Sequence, residues 1–90
     1  MVWQLEILEA AQKDLSRLDK PVAKRIIAFL RERLLPLESP RDIGEALTGA
    51  RLGAYWKYRV GDYRIICRLE DEVMRVLVVR LGHRREVYRA

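Results

Sequence analysis

A β-hairpin signal in the second part of the chain constrains the fold more than any other feature. Residues 55–60 and 63–70 are rich in aromatic and β-branched side chains, which favour strands, and only Gly61 and Asp62 separate them. A two-residue connection with glycine first is typical of a tight hairpin turn. The sequence therefore predicts two antiparallel strands, Tyr55–Val60 and Tyr63–Glu70.

The short turn also fixes which residues face each other. With this turn, Val60 pairs with Tyr63 and Arg59 pairs with Arg64. Because side chains alternate across a sheet, the hairpin has two chemically different faces. The apolar face, which we expect the helices to cover, carries Trp56, Tyr58, Val60, Tyr63, Ile65, Cys67 and Leu69. The other face is expected to be open and cationic, and it carries Tyr55, Lys57, Arg59, Arg64 and Arg68.

Arg59 opposite Arg64 is the informative pair on the cationic side. Like charges facing each other across strands destabilise a sheet by roughly 0.2–1 kcal/mol. Asp62 is the acid nearest in sequence that could pair with one of them. Guanidinium groups match phosphate oxygens in pairs, and a lysine supplies a point charge, so the pattern indicates an anion site. The alternative is that these side chains simply extend into water.

The segments before the hairpin predict one strand and two helices. Val2–Leu8 alternates with period two, as a half-buried strand does. Glu9–Leu18 places Ala11, Leu15 and Leu18 on one helical face. A second amphipathic helix begins near Pro21 and ends before Pro36.

A loop and a last strand complete the predicted domain. Glu38–Arg51 has no clean period and is predicted to be a loop, with at most one helical turn around Asp42–Leu47. Val73–Leu81 is predicted to be a central strand. The order predicts an α+β fold over residues 1–90: an N-terminal strand, a helical hairpin, then a three-stranded antiparallel meander, forming one sheet with the helices on one face.

Composition narrows the classes of function. The chain has 90 residues, of which 50% are hydrophobic and 34% charged, which suits one folded domain. No apolar run is long enough for a membrane span, and Glu6 and Glu9 interrupt any signal-peptide core, so we expect a cytoplasmic protein. With Cys67 as its one cysteine and His83 as its one histidine, the chain offers neither a disulfide nor a Cys/His metal site, and we expect no cofactor.

The charge is concentrated in one part of the sequence. Residues 1–50 are neutral overall, so the formal net charge of +5 belongs entirely to residues 51–90. This asymmetry indicates one cationic surface and a partner rich in phosphate or carboxylate groups. The residues after the last strand add His83, Arg84, Arg85 and Tyr88, which offer a titratable imidazole, further cations and a phenol.

Three segments resemble a known family. They are Leu47-Thr48-Gly49, the hairpin from Tyr55 to Ile66, and the run from Arg80 to Tyr88. Together with the order of the predicted elements, they are similar to the RelE/StbE branch of the RelE/ParE toxin superfamily. The resemblance covers nearly the whole chain.

The resemblance implies a toxin of a type II toxin–antitoxin system. Such toxins are small, cofactor-free endoribonucleases that cut mRNA in the A site of the 70S ribosome and thereby inhibit translation. A cognate antitoxin, RelB-like or of another type, silences them through an acidic and apolar segment. Contact with operator DNA is expected only through the antitoxin, and no membrane is involved.

The resemblance also implies roles for individual residues. Lys57 corresponds to a sheet lysine that helps to activate the nucleophile or stabilises charge, and Arg64 to the arginine that holds the scissile phosphate. Arg84 corresponds to the tail arginine that assists the leaving group. Arg85 is an alternative, because the segment between Gly82 and Tyr88 is two residues shorter than in the best-known member of the family. Tyr88 corresponds to a tyrosine that stacks on a base and is linked to proton transfer. The role of His83 stays open, since related branches use a tail histidine as acid or base.

Four further residues are predicted to bind RNA: Arg59, Arg68, Arg85 and Tyr55, the last of which stands where the best-known member has another lysine. Two other functions remain open. One is a ParE-like toxin that inhibits DNA gyrase by binding, without nuclease activity. The other is an RNA-binding module without catalysis, which would use the same face for phosphates.

Overall fold

Four of the five described strands lie in segments that the sequence predicts to be strands. In the computed structural model, which describes residues 3–47 and 55–87, the strands are β1 (Gln4–Ile7), β2 (Glu45–Ala46), β3 (Tyr55–Val60), β4 (Tyr63–Glu70) and β5 (Arg75–His83). They form one sheet in the order β1-β5-β4-β3-β2. β1 is parallel to β5, and the other neighbouring strands are antiparallel. The predicted α+β fold is confirmed.

The β3–β4 hairpin has the predicted bounds and register. Val60 pairs with Tyr63, and Arg59 pairs with Arg64. Gly61 adopts a φ of 59°, in the left-handed region that residues with a Cβ atom rarely enter, so glycine is the residue this turn requires. The two faces predicted for the hairpin follow from this register.

β5 begins and ends two residues later than predicted. The turn before it takes in Val73 and Met74, and the Met74 amide donates a hydrogen bond to the Asp71 carbonyl (3.2 Å). Apolar residues at 73 and 74 concealed the turn, because they extend the hydrophobic run of the strand. A β-bulge between Ile66 and Cys67 shifts the β4–β5 register, and β5 continues to His83 at the turn end of the hairpin.

Two α-helices and one π-helical turn precede the hairpin. They are α1 (Glu9–Ser16), α2 (Lys20–Ala28) and the π turn Phe29–Leu34, in which the Leu35 amide donates to the Leu30 carbonyl (3.0 Å). Pro21 lies in the first turn of α2, where its missing N–H breaks no helical hydrogen bond. None of the helices in the described ranges is long and apolar enough to span a membrane.

The core lies between these helices and one face of the sheet. Four fully buried residues form its helical side: Ala11 of α1, Ile26 of α2, and Leu30 and Leu34 of the π turn. The sheet contributes the buried residues Tyr58, Ile65, Cys67, Val76 and Val78. Burial raises the pKa of the Cys67 thiol, so this cysteine is the inert core residue that the sequence predicts.

The segment after the second helix is more ordered than predicted. It contains a 3-10 turn, Pro40–Ile43, followed by the two-residue edge strand β2. The Tyr58 hydroxyl donates to the Pro40 carbonyl (2.8 Å). Arg41 lies 5.5 Å from the centre of the Trp56 ring, and its guanidinium makes two hydrogen bonds with the Asp71 carboxylate (2.7 and 2.8 Å). These contacts hold the segment against the edge of the sheet. The local sequence pattern does not predict them, because they join residues that are far apart in the chain.

Candidate active site

The hairpin brings the predicted cations together on one face of the sheet. We call this set the cationic face; its members are Tyr55, Lys57, Arg59, Arg64 and Arg68. Tyr55 pairs with Arg68 and Arg59 with Arg64, so these side chains leave the sheet on the same side. The predicted grouping of Lys57, Arg59 and Arg64 is therefore present, on two adjacent strands that fix their spacing.

A carboxylate that the sequence did not predict lies beside the lysine. Glu45 of β2 pairs in register with Lys57 of β3, and its Oε2 lies 3.5 Å from the lysine Nζ. Asp62, the acid nearest in sequence, is not the partner of these cations in the described part of the chain. The partner comes from an edge strand of two residues, which is too short to give an alternating pattern that sequence analysis can detect.

Arg64 is buried, although the sequence predicted that it would be open to solvent. It is only 9% exposed, and its Nη1 donates hydrogen bonds to the carbonyls of Gly61 and Tyr63, both at 3.0 Å. The guanidinium is thus directed along the sheet toward the turn, whereas Arg59 is exposed, and this difference lets the two like charges occupy paired positions. A guanidinium has five N–H donors, and Nη1 supplies only two of them. Nε and Nη2 make no hydrogen bond with the described residues, so both remain available as donors.

A small cavity marks where the candidate groups converge. It has a volume of about 30 Å³, and it is lined by Ile43, Glu45, Lys57, Tyr58, Arg59 and Arg64. This volume is close to that of one water molecule, so a nucleotide cannot be enclosed here. A phosphate would rest on the surface above it, in contact with cations from both strands.

The tail returns to the hairpin turn. The Arg84 amide donates a hydrogen bond to the Asp62 carbonyl (2.8 Å), and the side chains of Arg84 and Arg85 are exposed. The turn that receives the Arg64 guanidinium therefore also anchors the backbone of the tail. This proximity does not decide between Arg84 and Arg85, so the tail role remains assigned to either.

His83 lies apart from Lys57 and Arg64. It pairs with Tyr63, whose side chain is on the core side, and the two rings meet edge to face at 5.7 Å. Its Nδ1 accepts a hydrogen bond from the Arg85 amide (3.2 Å). The structure does not bring the imidazole together with Lys57 and Arg64. Tyr88 lies outside the described residues, so its role remains a prediction of the resemblance.

The assembled groups can bind and stabilise negative charge. Arginine stays protonated at any physiological pH, so Arg64 and Arg59 act through charge and hydrogen bonding rather than by giving up a proton. The strands hold these donors in place before an anion binds. Little free energy is therefore needed to reorganise them when the anion binds or when charge develops on it. Among residues 3–47 and 55–87, no three His, Cys, Asp or Glu side chains are grouped as metal ligands.

The fold and the site define a small α+β protein with a cationic sheet face, and comparison with known proteins gives the family. The sequence model of the ParE toxin family of type II toxin–antitoxin systems matches residues 5–88. The chain belongs to this family, within the RelE/ParE superfamily and on its RelE-like branch. It is a toxin of a type II toxin–antitoxin system.

Particular relatives place it near RelE proteins. Toxin RelG of Mycobacterium tuberculosis (strain ATCC 25618 / H37Rv) is 27% identical over 89 residues, which is 99% of each chain. A chain of the RelBE2 toxin–antitoxin complex from M. tuberculosis superposes with a TM-score of 0.84 at 24% identity, covering 92% of this chain and 99% of that one. The isolated E. coli RelE toxin matches with a TM-score of 0.71 at 27% identity, and the match covers 90% of this chain and 83% of the RelE chain.

Proposed function

We propose that the protein is an endoribonuclease that cuts mRNA in the ribosomal A site and needs no metal ion for the chemical step. The observation that carries the proposal is the convergence of Lys57, Arg59 and Arg64 on one small cavity. The similarity to RelG and to RelE supports the same function. These side chains supply the positive charge themselves, so no step of the proposed mechanism passes through a metal.

The reaction uses a nucleophile that RNA already contains. The 2′-oxygen forms a bond to the adjacent phosphorus and loses its proton to a base, while the bond from phosphorus to the 5′-oxygen breaks and that oxygen takes up a proton. The products are a 2′,3′-cyclic phosphate and a 5′-hydroxyl. Negative charge grows on the phosphate oxygens and on the leaving oxygen, and the protein must stabilise both.

Each predicted site residue except His83 has a part in this scheme. Arg64 holds the non-bridging phosphate oxygens through Nε and Nη2, and Lys57 stabilises charge near the attacking 2′-oxygen. Arg84, or Arg85 in its place, stabilises the leaving oxyanion. Tyr88 stacks on a base and takes part in proton transfer. Arg59, Arg68 and Tyr55 bind the RNA strand, with arginine contributing charge and tyrosine a stacking surface.

A modified codon tests the reaction directly. We expect a programmed ribosome with an ordinary A-site codon to be cut, and one carrying a 2′-deoxy or 2′-O-methyl sugar 5′ to the cut to resist completely. Normal cutting of the modified codon, or a product with a 3′-hydroxyl, would mean that water is the nucleophile. Absence of cutting on both codons would leave a binding protein without nuclease activity.

A second candidate is favoured by the family match itself, which is to the ParE toxin model. A gyrase inhibitor of this family would act by binding, without RNA chemistry. Supercoiling of plasmid DNA by gyrase in the presence of the toxin separates the two functions. We expect supercoiling to continue while mRNA is cut; arrested supercoiling with intact mRNA would favour the gyrase function.

The partner that silences the toxin is proposed to be a RelB-like antitoxin with an acidic segment. Solved relatives of similar fold include the intact E. coli RelBE toxin–antitoxin complex, with a TM-score of 0.69 at 28% identity. The formal net charge of +5 suits an acidic partner, because complementary charge speeds association. Co-expression with the neighbouring small reading frame should restore growth, and failure of every neighbour to do so would contradict this.

A further inference from the structure

A second cleft lies at the other side of Arg59. It has a volume of about 480 Å³ and is lined by residues of α2, the π turn and the turn end of β3. The residues that matter for its chemistry are Arg25, Phe29, Glu32, Arg33, Ile43 and Arg59. We refer to it as the α2 cleft. Apart from Arg59, none of these residues has a part in the proposed function.

Three arginines from three different elements converge on the α2 cleft. Arg25 belongs to α2, Arg33 to the π turn and Arg59 to β3. In the part of the chain that the structure describes, none of the three makes a salt bridge, although Glu32 is in the same lining. The lining thus carries three positive charges against the single negative charge of Glu32, and binding of an anion reduces the repulsion among the arginines. The cleft therefore suits a ligand with negative charge.

The position of Arg25 depends on the hairpin turn. A Cβ atom at Gly61 would lie 3.1 Å from Arg25 Nη1 and 3.3 Å from Nη2, so the guanidinium packs directly over the glycine. The turn that orients Arg64 on the cationic face thus also supports Arg25 on the side of α2. One turn therefore contacts a cation of each set.

Apolar side chains give the cleft a surface for a base. Phe29 is half-buried in its lining, and Ile43 on its rim is 44% exposed, one of the most exposed large hydrophobic residues described. Nucleobases stack on aromatic rings and on arginine planes without strong sequence preference. A nucleotide joins a phosphate to such a flat apolar group, so its two parts match the two kinds of lining.

The α2 cleft is continuous with the candidate active site. Arg59 and Ile43 line both the cleft and the small cavity that also contains Lys57 and Arg64. One RNA strand can therefore contact both without leaving the protein surface. We propose that the α2 cleft is a second RNA subsite, which takes a nucleotide flanking the scissile phosphate on the same strand. This inference rests on the proposed function, because it assumes that RNA is cut at the cationic face.

A matched pair of double variants tests the subsite. Arg25→Gln with Arg33→Gln removes two charges from the cleft. Lys24→Gln with Arg31→Gln removes two charges from exposed neighbours on the same helical segments that do not line it. The probes are fluorescent single-stranded RNAs with 2′-O-methyl sugars, which cannot be cut: a dinucleotide, and tetranucleotides lengthened on the 5′ or the 3′ side. Binding is measured by anisotropy across a range of salt concentrations.

We expect the wild-type protein to bind one of the tetranucleotides about tenfold more tightly than the dinucleotide, and the cleft variant to lose that gain. For the cleft variant, the plot of log binding constant against log salt concentration should become less steep. The magnitude of its slope should decrease by about 0.7 for each phosphate that the variant no longer neutralises. The control variant should keep the gain from the added nucleotides. Thermal unfolding should be the same for both variants, since the substituted side chains are exposed.

Several outcomes would overturn the inference. They are a wild-type protein that gains nothing from lengthening, equal losses in both variants, or a cleft variant that keeps the gain. A cleft variant that loses only antitoxin binding, or only ribosome binding with the gain intact, would assign the cleft to a protein or to ribosomal RNA instead. Cleavage of ribosome-bound mRNA by the wild-type protein is measured separately, so failure of the proposed function would be recognised independently.

Discussion

Glu45 and Lys57 face each other across β2 and β3, with the carboxylate Oε2 3.5 Å from the ammonium Nζ. The Glu45 side chain is 63% exposed, so water screens this pair and its free energy is small. The position matters more than the strength. In the proposed reaction, a phosphate that approaches Lys57 competes with a carboxylate already present at the same cavity.

Substitution of Glu45 by glutamine should therefore tighten the binding of RNA. An exposed ion pair is worth roughly 0.2–1 kcal/mol, so the dissociation constant for an uncleavable RNA should fall by up to about fivefold. Anisotropy titration at low salt measures it. Glu38→Gln is the control, because it makes the same charge change at an exposed position outside the cavity. Equal tightening by both would reduce the effect to net charge, and lost cleavage with unchanged binding would make Glu45 the base.

The sequence predicted the hairpin to the residue because every determinant is local. A two-residue turn with glycine first fixes the register, and alternation then assigns the faces, so the pairing of Arg59 with Arg64 followed from the sequence alone. The two amphipathic helices were predicted for the same reason, and their apolar side chains Ala11, Ile26, Leu30 and Leu34 are fully buried.

What the sequence did not predict depends on contacts between distant segments. Glu45 lies beside Lys57 because β2 pairs with β3, and the turn before β2 is held by the hydrogen bond from Tyr58 to Pro40. The direction of the Arg64 guanidinium depends on which carbonyls the turn presents, and alternation says nothing about that. The side of the sheet on which His83 lies follows from a register with Tyr63 at the end of a strand predicted to stop at Leu81.

Arg64→Ala should impair both cleavage and stability. Loss of one preorganised charge contact to the phosphate is expected to lower the single-turnover cleavage rate about 10²- to 10³-fold. The carbonyls of Gly61 and Tyr63 also lose their donor, which should cost about 1 kcal/mol and lower the melting temperature by about 4–8 °C. Differential scanning calorimetry and ribosome cleavage measure the two effects.

Arg59→Ala is the matched control for this prediction. Its side chain is exposed, so its removal should leave the melting temperature nearly unchanged and weaken RNA binding without abolishing cleavage. An Arg64→Ala protein that cuts mRNA at the wild-type rate would show that Arg64 serves only the turn. One that melts with the wild type would show that its hydrogen bonds to the turn contribute nothing.

Gly61→Ala should destabilise the protein by about 1–2 kcal/mol, because the left-handed φ of 59° strains any residue with a Cβ atom. The new methyl would also lie 3.1 Å from Arg25 Nη1. Gly82→Ala is the comparison, since a Cβ there meets only Val87 at an ordinary 3.9 Å. Urea unfolding of the two variants should separate them clearly. Equal stabilities would mean that the turn tolerates alanine and does not require its observed conformation.

Asp14 gives the clearest prediction of a pH-dependent stability. Its carboxylate accepts hydrogen bonds from Arg80 Nε (2.8 Å), Arg80 Nη2 (3.2 Å) and the Leu81 amide (3.0 Å), which join α1 to β5. Burial by itself would raise the pKa of Asp14, but these hydrogen bonds and the charge of Arg80 outweigh it and lower the pKa below its ordinary value. The folded protein therefore favours the charged form more strongly than the unfolded chain does.

A carboxylate whose pKa is lowered on folding stabilises the protein fully above its unfolded pKa of about 3.9, and this contribution disappears as pH falls through the lower folded value. Asp14→Asn should accordingly lower the free energy of unfolding by about 1–3 kcal/mol at pH 7, and the difference from wild type should shrink below pH ~4. Urea titrations at pH 7, 5 and 3 measure it. Asp19→Asn, at an exposed position without a side-chain cap, should show no such trend. A loss for Asp14→Asn that is the same at pH 3 and pH 7 would attribute its effect to packing rather than to the ionised carboxylate.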